Sequence, residues 1–424
     1  MKLIIGVLAA TAMLFVLQDS FEVMLLPRRI RRRWRLTGIF FRLSWISWTW
    51  LSQRVQARDR REHLLALFGP LSMIFLFAAW AAALITGFGV LQWALQADGP
   101  KAAPVTELIY MSGVTFFTLG YGDVVPHSGP GRFCAVLEAG TGIGFIAVVI
   151  GYLPVLYQLF TRREAHVIQL DGRAGSPPSA TAMLCRHAEG GGLDQLNELL
   201  REWEVWSSEL LESHLSYPML AYYRSQHDDQ SWLGALACVI DACALVLVGV
   251  RAMPPLQARM TFTMGRQVLV EMSRSFGVAP SRFDGGDRLG ADAYQTMEAA
   301  LDGAGLDWEG GPDTQSTLAA LRATYEPLLD GLAKHLLLAV PDWLPCDATP
   351  DHWAGGHRGL LAQRLMAELG DRESRPPAAS ADTKVRQRRW PRLRRSQTDR
   401  AVTQVSDPAL AHVNAVPIST DETT

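Results

Sequence analysis

The sequence is poor in the patterns that carry metal or redox chemistry. Its five cysteines, Cys134, Cys185, Cys238, Cys243 and Cys346, include no CxxC pair, and an odd, scattered set excludes a disulfide framework and a zinc site. Cys238 and Cys243 read as small core hydrophobes. A nucleotide-binding regulator of the Rossmann type needs a strand, then GxGxxG, then a helix. Glu189-Gly190-Gly191-Gly192-Leu193 opens a helix without that strand or spacing, and no cyclic-nucleotide-binding signature is present. Strand-like alternation is scarce. His214, His227, Asp228 and Asp241 loosely suggest a metal-dependent phosphohydrolase, but their spacing is unconvincing and capping or surface roles explain them better. No enzymatic activity, cofactor or nucleic-acid partner is expected.

Charge is also scarce where the chain is apolar. The net charge of −2 over 424 residues hides a segregation, with arginine crowded into Arg28–Arg61. These arginines do not recur at every third position within an apolar helix, which excludes a voltage sensor.

What is present is a series of apolar segments. Residues 1–26 read as a membrane helix. Gln18-Asp19-Ser20-Phe21-Glu22 is no small-residue cleavage site, and the arginines that follow resist translocation. The N-terminus is therefore expected outside. Gly38–Leu51 holds Arg42, Trp45, Trp48 and Trp50 and is too short to cross a hydrocarbon core of about 30 Å. Within a basic segment, 27–63, it reads as an amphipathic helix on the cytoplasmic membrane surface. Residues 64–95 form the first unmistakable span. A short apolar segment, 105–117, then precedes a Gly-rich motif, 118–123, and a second long run, 132–160, ends at Thr161-Arg162-Arg163. Keeping both arginine groups inside places the Gly-rich loop outside.

Thr118-Leu119-Gly120-Tyr121-Gly122-Asp123 carries the chemistry. A dehydrated potassium ion needs oxygens in place of its water shell, and converging backbone carbonyls can supply them. Gly120 and Gly122 are the residues that tolerate the unusual backbone angles required. Thr118 adds a hydroxyl at the inner end. Leu119 and Tyr121 are expected to project backward and brace the loop, and Asp123 to hold its outer mouth. Thr115 and Glu138 are expected to support it. One such strand cannot surround an ion, so a homotetramer is expected, with 105–117 aiming its C-terminal carbonyls at the pore.

This motif resembles the potassium-channel signature Thr-Val-Gly-Tyr-Gly-Asp. Residues 64–163 resemble the two-transmembrane pore module of bacterial ion channels. The resemblance implies an all-α integral membrane protein in the cell membrane, conducting potassium passively. Leu119 replaces the usual valine, Phe117 stands where many relatives have a second threonine, and Tyr110-Met111 replace a pair of tryptophans. A weakly selective cation channel and a non-conducting scaffold or sensor stay open as alternatives.

Along the inner span, Gly140, Gly142 and Gly144 allow either close packing or bending. Pro154 is expected to kink the helix near a gate. Glu138 either contacts the back of the filter or snorkels outward. Residues 164–180 read as a linker, 181–370 as a helical cytosolic domain that gates or assembles the pore, and 371–424 as a disordered tail drawn to anionic lipid through Arg386–Arg395. Trp232–Val250 is apolar enough to be mistaken for a span, but Asp241 at its centre marks it as a buried bundle helix.

Overall fold

The computed structural model describes residues 1–24, 36–97, 102–226, 230–284 and 286–345. Arg28–Arg35 and the tail 371–424 lie outside the described residues. Twelve α-helices and one 3₁₀ turn make up the regular structure of the described residues, with one isolated bridge between Val250 and Trp308 and no strand among them. The protein is an all-α membrane protein. Three described helices are long and apolar enough to cross a bilayer.

The first of these, α1 (Lys2–Met24), lies antiparallel to α3 (Arg58–Leu95). Small residues permit the approach. A Cβ on Gly6 would stand 2.9 Å from the Ala94 Cβ, and one on Gly87 would stand 2.4 Å from the Met13 Cγ. At the other end Asp19 is buried and accepts hydrogen bonds from the Thr37 hydroxyl (2.6 Å), the Thr37 N–H (3.1 Å) and the Trp80 indole (3.3 Å). A buried carboxylate needs such donors, and here they tie α1 to α3 and to the start of α2 (Leu36–Ser52).

On α2, Trp45 donates to the His335 carbonyl and Trp48 to the Leu64 carbonyl, both at 2.9 Å. Leu36, Ile39, Leu43, Ile46 and Trp50 form an exposed stripe on the same helix. One face is thus anchored to protein while the apolar positions at three- and four-residue spacing stay open.

The pore helix α4 (Val105–Phe116) and the inner helix α5 (Gly129–Ala174) complete the membrane part. Two expected boundaries shift. The outer helix begins at Arg58, not residue 64, because the charged first turn still propagates helix. The expected linker 164–180 is helical as far as Ala174: Val167, Leu170 and Ala174 continue the three- and four-residue spacing of the inner helix and are buried. The break falls at Gly175–Ser179, where Gly175 has a φ of 89°. The inner helix runs unbroken through Pro154.

Beyond it lie α6 (Ala180–Glu189), α7 (Leu193–Ser216), α8 (Trp232–Val248), α9 (Leu256–Phe276), α10 (Ala291–Gly303), α11 (Pro312–Arg322) and α12 (Glu326–Leu336). α8 is the hub, buried on every side over Trp232–Val246. Its one acid, Asp241, accepts from Arg288 (2.8 Å) and from the Tyr325 hydroxyl (2.6 Å). Arg288 is held in turn by Glu326 at 3.0 Å and the Pro341 carbonyl at 2.7 Å. This network lets a charge sit at the centre of an apolar helix.

Candidate functional site

The Gly-rich loop starts from the last turn of α4. The Phe117 N–H bonds the Gly113 carbonyl at 3.1 Å, the Thr118 N–H the Thr115 carbonyl at 3.0 Å, and the Leu119 N–H the Val114 carbonyl at 2.8 Å. These bonds wind down the helix and start the loop segment. Along it every second residue is left-handed, with φ of 58° at Thr118, 65° at Gly120 and 73° at Gly122. A left-handed residue at every second position turns the peptide planes away from the regular pleat of a β-strand. Two of the three positions are glycine because only glycine adopts this φ without strain. A Cβ at Gly120 or Gly122 would meet no atom of the described residues within 4 Å, so within one chain it is the backbone angle that demands glycine.

Asp123 closes the loop at its far end. Its Oδ2 accepts from the Tyr110 hydroxyl at 3.0 Å and its Oδ1 from the Val124 N–H at 3.1 Å. Tyr110 thus reaches from α4 to the loop mouth, a role that sequence reasoning missed by treating Tyr110 as the loss of a supporting tryptophan. A phenol about two turns ahead of the loop, with an acid at the loop's end, was the available signal.

Behind the loop, Glu138 is fully buried and its carboxyl meets the Ser112 hydroxyl. Ser112 Oγ also lies 2.7 Å from the Ile85 carbonyl. One polar contact therefore joins α3, α4 and α5 within apolar surroundings, and the snorkelling alternative for Glu138 is not what the side chain does. Ser112 was not singled out in the sequence. Thr115 donates back to the Met111 carbonyl of its own helix at 2.9 Å, so its hydroxyl does not reach the loop. Leu119 and Tyr121 are 54% and 66% exposed, so the described residues leave both side chains largely uncovered.

The three inner-helix glycines are not equivalent. A Cβ on Gly142 would stand 2.1 Å from the Phe116 carbonyl oxygen, whereas none of the described residues approaches Gly140 or Gly144 within 4 Å. Gly142 is where α5 touches the end of the pore helix. The inner helix buries Cys134, Glu138, Gly142, Tyr152, Leu156 and Phe160 along one face. It leaves Phe133, Val136, Leu137, Ile143, Ile150, Leu153 and Tyr157 exposed.

The helical half reaches back into this module. The 3₁₀ turn Pro218–Tyr222 follows α7, and its Met219 and Leu220 are buried in one cluster with Met73, Phe77, Tyr152 and Leu156. The Tyr152 hydroxyl meets the Met219 sulfur at 3.4 Å. Tyr223 packs on Gly69 of the outer helix, where a Cβ would come within 2.7 Å of its ring. Arg163 of α5 is buried and donates to the Leu220 and Tyr223 carbonyls, both at 2.8 Å. Its guanidinium also pairs with Glu164 at 2.8 Å and meets His214 Nε2 at 3.3 Å. His214 Nδ1 lies 2.8 Å from the Leu210 carbonyl, which fixes the neutral ring with its proton on Nδ1. Burial, and then the Arg163 charge, hold His214 well below the ordinary histidine range.

The four residues that suggested a phosphohydrolase do not assemble. His214 and Asp241 belong to separate buried networks, and His227 and Asp228 lie outside the described residues. No group of three or more metal-ligating side chains occurs among the described residues.

Residues 68–158 match the family described as "Ion channel". Protein LctB of Geobacillus stearothermophilus is 32% identical over 93 residues, covering 19% of this chain and 69% of that protein. Protein LctB of Bacillus caldotenax is 31% identical over 110 residues, covering 23% of this chain and 75% of that protein. The uncharacterized membrane protein YdjJ of Bacillus subtilis (strain 168) is 23% identical over 211 residues. That match spans 48% of this chain and 60% of YdjJ. No solved structure matches.

Proposed function

Because the chain belongs to the ion channel family, we propose that four copies surround one axis and conduct potassium ions passively through a filter of backbone carbonyls. The observation that carries this reading is the left-handed backbone at Thr118, Gly120 and Gly122 within Thr118–Asp123. Carbonyls of Thr118, Leu119, Gly120 and Tyr121, with the Thr118 hydroxyl, would replace the ion's water shell. The unpartnered apolar face of α5 and the exposed Leu119 and Tyr121 are then surfaces for neighbouring copies. In that assembly Tyr110 and Asp123 hold the filter mouth, while Glu138 and Ser112 fix the pore helix from behind.

The N-terminus of α1 and the filter mouth would face outside, with the helical half in the cytoplasm. The exposed stripe of α2 would rest on the bilayer, and the flanking arginines favour anionic lipid. Gating would run through the 3₁₀ turn and Arg163, which link the helical half to both the outer and inner helices. This contact is more intimate than the direct chain connection alone.

The test is potassium-against-sodium flux from liposomes holding the purified chain, with Gly120→Ala alongside. Potassium-selective flux that disappears in the variant is expected. Equal passage of sodium would move the reading to a weakly selective cation channel. That reading is favoured by Phe117 in place of threonine and by the Thr115 hydroxyl bonding its own helix.

A further inference from the structure

A chain of oxygens holds the pore helix from behind, and the hydrogens available to it can be counted. Ser112 Oγ on α4 lies 2.7 Å from the Ile85 carbonyl of α3 and meets the Glu138 carboxyl of α5 on its other side. Each contact needs a hydrogen between its two oxygens. The Ile85 carbonyl has none to give, and the Ser112 hydroxyl has one. If that hydrogen points to Ile85, the contact with Glu138 lacks one unless the carboxyl brings it. If it points to Glu138, the Ile85 carbonyl faces a bare oxygen at bonding distance. Only a protonated carboxyl supplies both contacts.

The surroundings favour the same state. Ser112 and Glu138 are both fully buried, and the second carboxyl oxygen, Oε2, has no hydrogen-bond partner. A carboxylate here would hold its charge against one donor at most, away from water, at a far higher cost than a neutral acid. No cation offsets that cost. Residues 64–95 of α3 and all of α4 contain no Lys, Arg or His, and neither does α5 between Arg132 and Arg162. Arg132 is turned to the Pro126 carbonyl at 3.3 Å, and Arg162 pairs with Glu209 at 2.5 Å. The other titratable side chains nearby are Cys134, buried one turn earlier on α5, and Glu107 and Tyr110 of α4, none of them a base. Glu138 is covered by its own chain, so neighbouring copies would add neither a donor nor a cation.

We propose that Glu138 is a neutral carboxylic acid, a positioning residue that donates to Ser112 while Ser112 donates to Ile85. The donor chain runs from α5 through α4 to α3 and fixes the pore helix one turn before its end. Loss of the acid's proton would leave Ser112 one hydrogen for two acceptors, and α4 would be released from either α3 or α5. The proton count is independent of the channel reading; only the consequence for the filter rests on it.

The experiment is infrared difference spectroscopy of the full chain in an ester-free detergent at pH 7, where solvated glutamates are ionised. The parent should show a protonated-carboxyl C=O band that shifts in D2O and is lost in Glu138→Gln. In Ser112→Ala the acid loses its acceptor, so the band should remain and move to higher frequency. Thermal unfolding gives a second readout. Glu138→Gln keeps a neutral donor and should stay within about 2 °C of the parent midpoint, whereas Glu138→Ala should fall by about 5 °C or more. A parent without the band, a band untouched by Glu138→Gln, or one unmoved in Ser112→Ala overturns the proposal. A Glu138→Gln midpoint as low as that of Glu138→Ala does so too, because it would mean that the site needs the charge. Flux from liposomes of the parent separates the two readings: absent flux with the band present counts against the channel and leaves the neutral acid standing.

Discussion

The inner helix α5 and the hub helix α8 are both apolar, and they are finished in opposite ways. α8 is buried all round, and its single acid meets Arg288 and Tyr325 within the same chain. α5 buries one face, keeps a carboxyl behind the pore loop, and leaves large apolar side chains exposed over the rest of the membrane stretch. A helix apolar on every side must be covered by something. For α8 the cover is its own chain. For α5 it is lipid and, in the proposed assembly, three more copies. Among the described residues the helical half covers its hub helix by itself, whereas the inner helix would be covered only in the proposed assembly.

The sharpest way to break this contrast is to unbalance the hub. Asp241→Ala leaves Arg288 and the Tyr325 hydroxyl buried without their partner, which costs about 3–5 kcal/mol for a broken buried pair. Chemical denaturation of the full chain should show that loss in the helical half. In chains that still fold, the ratio of potassium to sodium flux should be unchanged, since the filter is made elsewhere. A changed ratio would mean that the two halves do not stand apart as described.

A smaller effect is expected where α5 meets the pore helix. Gly142→Ala puts a methyl group 2.1 Å from the Phe116 carbonyl oxygen, and relieving it should cost about 1–3 kcal/mol. Gly140→Ala meets no described atom within 4 Å. Thermal unfolding should separate the two variants. If Gly140→Ala instead disrupts tetramer yield while Gly142→Ala does not, the open glycine face is a subunit contact and the packing role of Gly142 is wrong.

How much of this was legible in the sequence differs between the same two regions. The proposed filter is read from six consecutive residues because the chemistry proposed for it lies in the backbone, and glycine spacing anticipates the left-handed φ found at Gly120 and Gly122. The bundle hub was legible as one helix with an acid at its centre. Its partners Arg288 and Tyr325 were not, since they lie 47 and 84 residues away and nothing local marks them. The 3₁₀ turn reads only as Tyr-Pro-Met-Leu-Ala-Tyr. Its insertion between the outer and inner helices depends on Gly69 and Tyr152, which are far off in sequence. Thr161-Arg162-Arg163 reads as the end of the apolar run, which sets the break too early, because Val167, Leu170 and Ala174 carry the buried face onward to Gly175.

Acid should act on the bundle before the filter. His214 is held neutral by burial and by Arg163, so the folded state binds its proton more weakly than the unfolded chain does. Its stabilising contribution is present above the unfolded histidine value of about 6.5 and falls as pH drops below it, by about 1.4 kcal/mol per unit for one proton. His187 and His335 are also lowered, chiefly by burial, and add to the same slope. Denaturation midpoints measured from pH 7 downward should fall less steeply in His214→Gln than in the parent. An unchanged slope would place the acid sensitivity in the other two rings.

The smallest effect belongs to the filter mouth. Tyr110→Phe removes one hydroxyl and its bond to Asp123 Oδ2, leaving the Val124 N–H as the remaining described donor to that carboxylate. The site is exposed, so water can take the place of the phenol, and the loss is about 0.5–1.5 kcal/mol. Global stability should therefore hardly move. The filter, however, stands on few contacts within its own chain, because Leu119 and Tyr121 are exposed and Thr115 is turned to its own helix. A small loss at the mouth should show as a lower potassium-to-sodium ratio or shorter openings in single-channel records. Unaltered selectivity and open time would mean that neighbouring copies brace the loop so well that Tyr110 is dispensable, and would shift the support of the filter from α4 to the subunit interface.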